Sequence, residues 1–194
     1  MPGSDGPNEL ERDRALIDRI RAGDTGAFDG FIQEQWKPLV YFVSQSVGNV
    51  DDAEDLAQEV FFRIWSRRRG LRPEARLRAY LFQIARNLVI DHFRKRRVRD
   101  RWARDRARAT TEVDPTPETL ELLTREELLA AVEAAIARLP PRRREAFTLV
   151  HTHGFSYRDA ASIMGIAPQT LADQVSAALG QLRRWLVGGA LLIL

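Results

Sequence analysis

Two groups of charged side chains, close together in the sequence and opposite in sign, are the residues best suited to binding chemistry. The segment Asp51–Asp55 is acidic and opens a helical pattern, with Asp51 and Glu54 spaced as a capping box. The segment Asp91–Arg97 is mainly basic. Carboxylates accept hydrogen bonds from a basic protein surface, whereas guanidinium groups form paired hydrogen bonds with phosphates. The pattern therefore suggests a small fold that connects a basic protein with a nucleic acid.

Charge is distributed unevenly along the chain of 194 residues, although the formal net charge is only +3. Between Arg63 and Arg108 there are 17 Lys and Arg residues against four Asp and Glu, whereas the segment Glu112–Glu133 holds seven acids and a single Arg. Such segregation produces local fields that the total conceals. Arginine greatly outnumbers lysine, which suits phosphate binding, although a GC-rich genome would produce the same bias.

Composition argues against several functional classes. The chain has no cysteine, which excludes disulfides and thiolate zinc sites. The three histidines are too scattered to predict a metal site, and no acid pair accompanies a nucleophile, so we expect no enzyme activity and no cofactor. Residues 1–8 lack the apolar core of a signal peptide, and the apolar residues 186–194 are too few to span a membrane. We therefore expect a cytoplasmic protein.

Apolar residues recur with the helical period of 3.6, and no segment shows the sustained alternation of an exposed strand. The predicted fold class is all-α, with two small helical domains joined by a flexible linker, the C-terminal one a helix-turn-helix. The predicted helices cover 10–22, 24–47, 51–68, 74–97, 125–139, 142–152, 157–164 and 168–187. The predicted limits are a disordered N-terminus at 1–9, the first domain at 10–98, the linker at 99–124, the second domain at 125–187 and an apolar tail at 188–194.

The segment Ser156–Leu171 has the spacing of a DNA-reading helix pair. Ala161 is small where two helices must approach closely, and Gly165 can adopt the left-handed conformation of the turn. Pro168 suits the first turn of the second helix, which would lie in the major groove. A tight helical hairpin with a glycine turn is the structural alternative.

The face of this second helix that would enter the groove carries no Lys or Arg. Gln169 and Gln174 could hydrogen-bond to adenine edges, but phosphate contacts would have to come from Arg142–Arg144 and Arg158. We therefore expect weak DNA binding by this domain alone. Its candidate DNA contacts are Arg144, Arg158, Gln169, Thr170, Ala172, Asp173 and Gln174.

Residues 10–186 resemble the two-domain extracytoplasmic-function group of the sigma-70 family of bacterial sigma factors. The stretches that carry the resemblance are Asp52–Phe61, Tyr80–Arg96 and Leu139–Phe147, in this order before the helix-turn-helix. The resemblance implies a sigma factor that binds core RNA polymerase and directs promoter-specific transcription initiation. Such a protein recognises the minus-35 and minus-10 elements and helps to melt the DNA.

In that family an Asp-Leu-x-Gln-Glu segment docks on the coiled coil of the polymerase beta-prime clamp. The matching residues here are Asp55, Gln58 and Glu59, and spacings of three and four place them on one helical face. The polymerase partners that the resemblance implies are the beta-prime clamp and the beta flap. A solvated acidic helix start is the alternative for this segment.

The resemblance also implies that the fourth helix reads and opens the minus-10 element, with a flipped base taken up by the loop 66–76. This chain has Tyr80 where most members have Trp, and Leu71 where they have Phe. Core packing is the alternative role for Tyr80. The implied contacts are Tyr80, Arg86, Asn87, Asp91, Arg94, Lys95, Arg96 and Arg97.

The recognition helix departs from the family's pattern, and the linker length can be compared with the spacing of the promoter elements. Family members often have basic residues in the recognition helix where this chain has Ala172–Gln174, so an unusual promoter preference is expected. The 26 residues of the linker can reach roughly 85 Å when extended, and promoter elements about two dozen base pairs apart are separated by roughly 80 Å. The linker acids Glu112–Glu121 could mimic nucleic acid in the polymerase channels, or the linker could be a plain spacer.

The sequence is also compatible with two other functions. A sigma mimic that sequesters an anti-sigma factor would have no need of the basic run Arg94–Arg97. A plain helix-turn-helix regulator would leave the acidic face of the third helix unexplained. We expect core polymerase, promoter DNA and an anti-sigma factor as partners, and a monomer when the protein is free. The apolar tail could pack on the second domain or dock an anti-sigma protein.

Overall fold

The structure, a computed structural model, describes residues 7–72, 76–104 and 125–191, with side chains described for 10–72, 76–96 and 129–186. This part of the chain is almost wholly helical and contains no strand, which confirms the all-α fold class. A 3₁₀ turn at Arg68–Gly70 follows the third helix, and a π-helical turn at Thr148–Thr152 follows the sixth. The helices are α1 (Pro7–Ala22), α2 (Thr25–Val47), α3 (Val50–Ser66), α4 (Leu77–Arg104), α5 (Arg125–Ala137), α6 (Pro141–Phe147), α7 (Tyr157–Met164) and α8 (Pro168–Leu191).

Short polar residues and one glycine set the ends of α2 and α3. Asp24 caps α2 by accepting a hydrogen bond from the backbone N–H of Ala27 at 2.9 Å. Gly48 ends α2 with a left-handed φ of 74°, and the side chain of Asn49 then accepts from the N–H of Asp51. The predicted capping box of Asp51 and Glu54 is wrong, because Asn49 supplies the cap and α3 begins one residue earlier than Asp51.

An aromatic cluster holds α2 against α3. The ring of Phe61 on α3 meets those of Phe28 and Phe31 on α2 edge to face, with centroids 6.3 and 6.2 Å away, and stacks on Trp36 at 6.2 Å. Such ring pairs stabilise by about 0.5–1.5 kcal/mol each beyond the burial of their surface. Because this side of α3 is fixed inwards, the opposite side of the same helix faces outwards.

Helix α4 completes the N-terminal core with one apolar stripe. Leu77, Leu81, Ala85 and Leu88 are all buried, and their spacings of three and four place them on a single face. Phe82 and Val89, beside this stripe, are also buried, and the ring of Phe82 lies 5.1 Å from that of Phe42 on α2. The rest of the circumference of α4 is left for other contacts.

The predicted helix-turn-helix is present in α7 and α8. Ser156 caps α7 by accepting from the N–H of Asp159, and Gly165 forms the turn with a φ of 65°. Residues that carry a Cβ rarely adopt this backbone conformation, so the turn requires a glycine at this position. Leu171 and Val175 on α8 are buried beneath the turn, which leaves the first turns of α8 with an outward face.

The two groups of helices share one apolar core. A single cluster of buried side chains continues from the N-terminal helices through Phe82 on α4 to Phe155 and Met164 in the C-terminal group. A second, smaller cluster joins Ile136 and Leu139 near the end of α5 to α8. The two predicted domains are therefore in direct contact, which the predicted flexible linker between them did not imply.

Two helices continue into segments that were predicted to be linker and tail. Helix α4 extends to Arg104, and α8 extends to Leu191. The predictions for residues 1–6, 105–124 and 192–194 lie outside the described residues, as do the side chains of the tail. The proposed roles of the linker and of the tail therefore stay predictions.

Candidate nucleic-acid and protein interfaces

The outward side of α3 carries the predicted polymerase-binding residues. Asp55 and Gln58 are exposed, and Glu59 is partly buried because its carboxylate accepts a hydrogen bond from Nε of Arg63 at 2.7 Å. The three side chains lie on one helical face, as their spacing predicts. Asp55 therefore offers an exposed carboxylate to a basic partner, whereas Glu59 must exchange Arg63 for the partner or share it.

An apolar side chain on the same face was missed in the sequence. Phe62 is 66% exposed, and it follows Asp55, Gln58 and Glu59 at spacings of seven, four and three residues. Its neighbour Phe61 is buried in the aromatic cluster, so the pair looks like continuous core in the sequence. Phe62 gives this acidic face a large apolar contact, which is common at the centre of protein interfaces.

Helix α4 presents most of the predicted minus-10 residues to solvent; Asn87, Asp91, Arg94 and Lys95 share one side, and Arg96, nine residues after Asn87, lies on the opposite side. Tyr80 is partly buried and packs against the core. This position agrees in part with core packing, the alternative role for this residue. Arg97 belongs to α4, but its side chain is outside the described residues. The exposed members of the set are Asn87, Asp91, Arg94, Lys95 and Arg96.

Arg86 is separated from this exposed set. Its Nε donates to Oε1 of Glu145 on α6 at 2.5 Å, and the two side chains are only 23% and 21% exposed. Burial raises the pKa of Glu145, and the adjacent charge of Arg86 opposes that shift. Arg86 therefore binds a carboxylate of the C-terminal helices in this structure, and it is not available for a phosphate at the same time.

Two further arginines make equivalent contacts near the start of α4. Nη1 of Arg76 donates to Oδ2 of Asp159 at 2.8 Å, and Nη2 of Arg78 donates to the backbone carbonyl of His153 at 2.7 Å. The guanidinium of Arg78 also lies 4.4 Å from the ring centroid of Phe155. Three arginines thus join the N-terminal helices to the C-terminal ones, a set that the sequence alone did not single out.

His153 is buried where the two groups of helices meet. Its ring centroid lies 4.9 Å from Phe82, 5.8 Å from Phe42 and 6.1 Å from Tyr41, all in the N-terminal helices. Burial lowers the pKa of His153 to about 4, and the positive charge of Arg78 adds to the effect. The imidazole is therefore neutral at pH 7 and acts as a packing group between the domains.

The predicted minus-35 residues are also divided by the structure. Arg158 is exposed on α7, but Arg144 lies at the domain interface, where its Nη1 is 3.5 Å from the backbone oxygen of Gln45. On α8 the side-chain amide of Gln169 donates to Asp173 at 3.2 Å, so these two polar groups are partly satisfied by each other. Of the remaining predicted contacts, Thr170 is exposed and Ala172 and Gln174 are partly buried.

A cleft of about 800 Å³ lies between α2, α4 and α6. Its apolar lining includes Phe42, Val89, Ile90 and Phe93, while arginines stand around it. Thr148, which is 3% exposed, has a hydroxyl without a hydrogen-bond partner among the described residues. The basic residues of the cleft are Arg86, Arg94, Arg142 and Arg144. This combination suits an elongated partner with apolar and acidic side chains.

Within the residues that the structure describes, no group of three or more His, Asp or Glu side chains is arranged to hold a metal ion. None of the helices in the same ranges is both long and apolar enough to cross a membrane.

Comparison with known proteins identifies two regions of the chain that match family models. Residues 32–99 match the family model of sigma-70 region 2, and residues 129–182 match that of sigma-70 region 4. The chain is 39% identical over 135 residues to the extracytoplasmic-function (ECF) RNA polymerase sigma factor EcfG of Rhodopseudomonas palustris, covering 70% of this chain and 71% of that one. It is 33% identical over 185 residues to the ECF sigma factor SigE of Mycolicibacterium smegmatis, covering 93% and 70%.

Solved structures show the same architecture. The sigma factor RpoE from Bartonella quintana, crystallised in complex with the anti-sigma factor NepR, matches with a TM-score of 0.61 and 29% identity, over 81% of this chain and 96% of that one. CnrH, in complex with the cytosolic domain of CnrY, matches with a TM-score of 0.66 and 21% identity, over 91% and 97%. At that identity the second match concerns the fold alone.

Proposed function

The chain belongs to the extracytoplasmic-function group of the sigma-70 family, and from this premise we propose a role for each of its surfaces. It is a sigma factor, which gives RNA polymerase its selectivity for promoters. We propose that it acts in the cytoplasm and contributes no covalent chemistry of its own. The observation that carries the assignment of surfaces is the presence of an acidic face on α3 and a basic face on α4 within one domain.

The acidic face of α3 is proposed to bind the beta-prime clamp of core polymerase. Asp55, Gln58 and Glu59 match the family's docking segment, and the structure leaves them on an outward face. Phe62 adds apolar surface beside them, so a basic partner surface with an apolar depression would be complementary. Contact of the C-terminal domain with the beta flap is proposed from the family resemblance alone.

The exposed residues of α4 are proposed to bind the minus-10 element. Asn87 can hydrogen-bond a base edge, while Arg94, Lys95 and Arg96 can neutralise phosphates. Leu71 is buried in the core, so it offers no stacking surface to a flipped base, and residues 73–75 of the loop proposed to receive that base lie outside the described residues. Tyr80 keeps a partly exposed ring and is the remaining aromatic candidate for melting.

The helix-turn-helix is proposed to bind the minus-35 element with modest affinity. Arg158, Gln169, Thr170 and Asp173 are exposed, but only the first of these is basic. Few phosphate contacts imply a weak and only slightly salt-dependent interaction. Docking on the polymerase must therefore contribute much of the binding of this domain to the promoter.

An anti-sigma factor is proposed as a further partner, as in the Bartonella complex. The cleft between α2, α4 and α6 is a suitable contact, because its apolar lining and its arginines would complement an amphipathic acidic helix. We propose that the protein is a monomer when it is free of polymerase and of such a partner.

Run-off transcription with purified core polymerase tests the proposal. The complex should initiate at specific sites on candidate promoters, including the upstream region of the protein's own gene, where core polymerase alone initiates without selectivity. A sigma mimic would bind an anti-sigma factor but add no selectivity to core polymerase. That result would favour the alternative function.

A further inference from the structure

We infer that the cleft between α2, α4 and α6 is a binding site for a free, single-chain anionic amphiphile, of the class to which long-chain fatty acids belong. The ligand places its apolar chain along the apolar side of the cleft and its carboxylate against α6. The site is a property of the free protein. Its consequence for regulation rests on the proposed function.

The cleft has the size and the apolar lining of a small-molecule site. Its volume is about 800 Å³, within the range of roughly 300–1,000 Å³ that is usual for ligand pockets. Ile90, which is 48% exposed, extends the apolar lining to the surface of the protein. An alkyl chain bound there removes apolar surface of both partners from water, which stabilises the complex. The other apolar residues of the lining are Phe42, Val89, Phe93 and Pro141.

The charges of the lining favour an anionic head group. Four arginines face the cleft against a single carboxylate, that of Glu145. Arg86 already donates to Glu145 at 2.5 Å, so these two charges largely offset each other. Arg94 and Arg142 are exposed and Arg144 is partly buried, and this second set gives the cleft an excess of positive charge. Guanidinium groups bind carboxylates through short, charge-assisted hydrogen bonds.

A buried hydroxyl group supplies a second polar contact for the same head group. Thr148 lies in the π-helical turn, is 3% exposed, and its Oγ1 has no hydrogen-bond partner among the described residues. It follows Arg144 by four residues, and both side chains line the cleft. An unpaired buried hydroxyl costs free energy, and a ligand oxygen that accepts from it offsets this cost. One carboxylate can therefore accept from Thr148 and Arg144 together.

The depth of this polar contact favours a slender ligand over a helix. An α-helix with its side chains is about 10–12 Å wide, so a helix at this site lies along the opening of the cleft. A single alkyl chain with a small head group can reach the side chain of Thr148. The amphiphile and the acidic helix proposed for the anti-sigma factor use the same apolar lining and arginines. Binding of the amphiphile therefore lowers the affinity for such a helix.

The test measures binding of monomeric dodecanoate to the full chain by isothermal titration calorimetry, below the concentration at which micelles form. Dodecanoate should bind saturably, with one molecule per chain. Dodecyltrimethylammonium has the same alkyl chain and the opposite charge, and it should bind at least about tenfold more weakly because it cannot accept hydrogen bonds from the arginines. Acetate, which lacks the apolar chain, should show no measurable binding.

Variants of the lining locate the site. Arg144→Gln and Ile90→Asp should each weaken dodecanoate binding about tenfold, since one removes a charged donor and the other places a carboxylate in the apolar lining. Thr148→Val keeps the shape of the side chain and removes the hydroxyl. It should weaken binding about threefold or more without lowering the Tm, because an unpaired buried polar group is removed.

Matched substitutions outside the cleft should bind dodecanoate normally. Leu129→Asp alters an exposed leucine of α5, and Arg183→Gln alters an exposed arginine of α8. If Arg144→Gln does not fold, as judged by circular dichroism, Arg142→Gln at an exposed position of the same cleft provides the measurement.

An absence of saturable dodecanoate binding would overturn the inference, as would equal affinities for the two amphiphiles or unchanged affinity in the variants of the lining. Binding to vesicles of phosphatidylglycerol without binding of monomeric dodecanoate would also overturn it and would indicate a membrane contact. These measurements use neither polymerase nor DNA, so their failure leaves the proposed function standing. Failure of run-off transcription would contradict that function and leave the ligand site standing.

Discussion

Nε of Arg86 lies 2.5 Å from Oε1 of Glu145, although 59 positions separate the two residues in the sequence. The next residue of α4, Asn87, is exposed on the side of the helix proposed to face DNA. Two consecutive residues of the predicted minus-10 set therefore face different partners. Helix α4 carries a side for the promoter and a side for the C-terminal domain, and variants of the two sides should differ in phenotype.

On the promoter side, Arg94→Ala combined with Arg96→Ala should lower promoter opening. Loss of two phosphate contacts should reduce the slope of log affinity against log salt by about 2, because each contact contributes about 0.9. Permanganate footprinting reports the opening, and filter binding of the complex with polymerase reports the slope. Arg183→Ala with Arg184→Ala, exposed on α8, is the matched control. Normal melting in the first variant would remove the assignment.

On the polymerase side, Asp55→Ala combined with Glu59→Ala should weaken binding to core polymerase about tenfold or more. The fold should be retained, because both side chains lie on the outward face of α3. Titration of labelled protein with core polymerase measures the affinity, and circular dichroism measures the fold. Asp29→Ala combined with Glu34→Ala, both exposed on α2, is the matched control and should bind normally. An equal affinity for all three proteins would count against the docking assignment.

Two adjacent phenylalanines should behave in opposite ways. Phe61→Ala should lower the free energy of unfolding by about 3–5 kcal/mol, because the ring is 4% exposed within the aromatic cluster. Phe62→Ala should change that free energy by less than about 0.5 kcal/mol, since its ring is 66% exposed. It should nevertheless weaken core polymerase binding about tenfold, as an aromatic contact at an interface.

Urea unfolding and polymerase titration separate these two effects. Leu179→Ala serves as a control, because Leu179 is also exposed but lies on α8, far along the chain from the proposed docking face. Unchanged polymerase affinity in Phe62→Ala would show that this ring is an isolated surface residue.

Acid should open the domains through His153. The pKa of the buried imidazole is about 4, against 6.5 for an exposed histidine, so protonation favours the open state. The neutral form of His153 therefore stabilises the closed arrangement, in which the two domains are in contact. This contribution is fully present above pH 6.5 and is lost as the pH falls towards 4. Lowering the pH from 7 to 5 should cost the closed arrangement about 2 kcal/mol. Arg78 and Tyr41 face the same ring; Arg78 contributes to the lowered pKa, whereas Tyr41 titrates far above this range.

The raised pKa of Glu145 acts in the opposite direction, since protonation of a buried carboxyl favours the closed state. The net effect is measured as the distance between spin labels attached to Gln33→Cys on α2 and Arg183→Cys on α8, in a chain that has no other cysteine, across this pH range. His153→Phe keeps an aromatic ring but removes the titration, so its distance distribution should not shift towards open molecules. His151→Gln, at an exposed position, should retain the full response. Equal responses in both variants would exclude His153 as the titrating group.

Local patterns were sufficient to predict most of the helices and the turn of the DNA-binding motif. The apolar stripe of α4 has helical spacing, and Gly165 is where the left-handed turn was expected. The start of α3 was misplaced, because several polar residues near Asn49 could each have capped it. Helix propensity and apolar spacing are properties of neighbouring residues, so the sequence predicts that a helix is present. It predicts the residue at which the helix begins or ends less accurately.

Contacts between distant segments could not be predicted in the same way. Arg86 has the spacing of a DNA contact, and nothing in its neighbourhood indicates a partner 59 positions away. Arg144 was likewise expected on the DNA-binding surface and lies instead beside α2. Phe62 was hidden by its buried neighbour, since exposure depends on the orientation that packing gives to α3. These properties are set by tertiary structure, to which a single sequence gives little access.

Nearly every side of helix α4, over the residues whose side chains the structure describes, either packs against other helices or is proposed to bind DNA. One stripe completes the hydrophobic core, a second holds the C-terminal helices and a third is offered to the promoter. An ordinary surface helix accepts most substitutions over about half of its circumference, whereas here a change at nearly any position between Leu77 and Arg96 should impair folding, the contact between the domains or promoter use. Natural variants of this protein should accordingly accumulate in other helices, and changes in promoter preference should be confined to the few α4 residues that neither neighbour constrains.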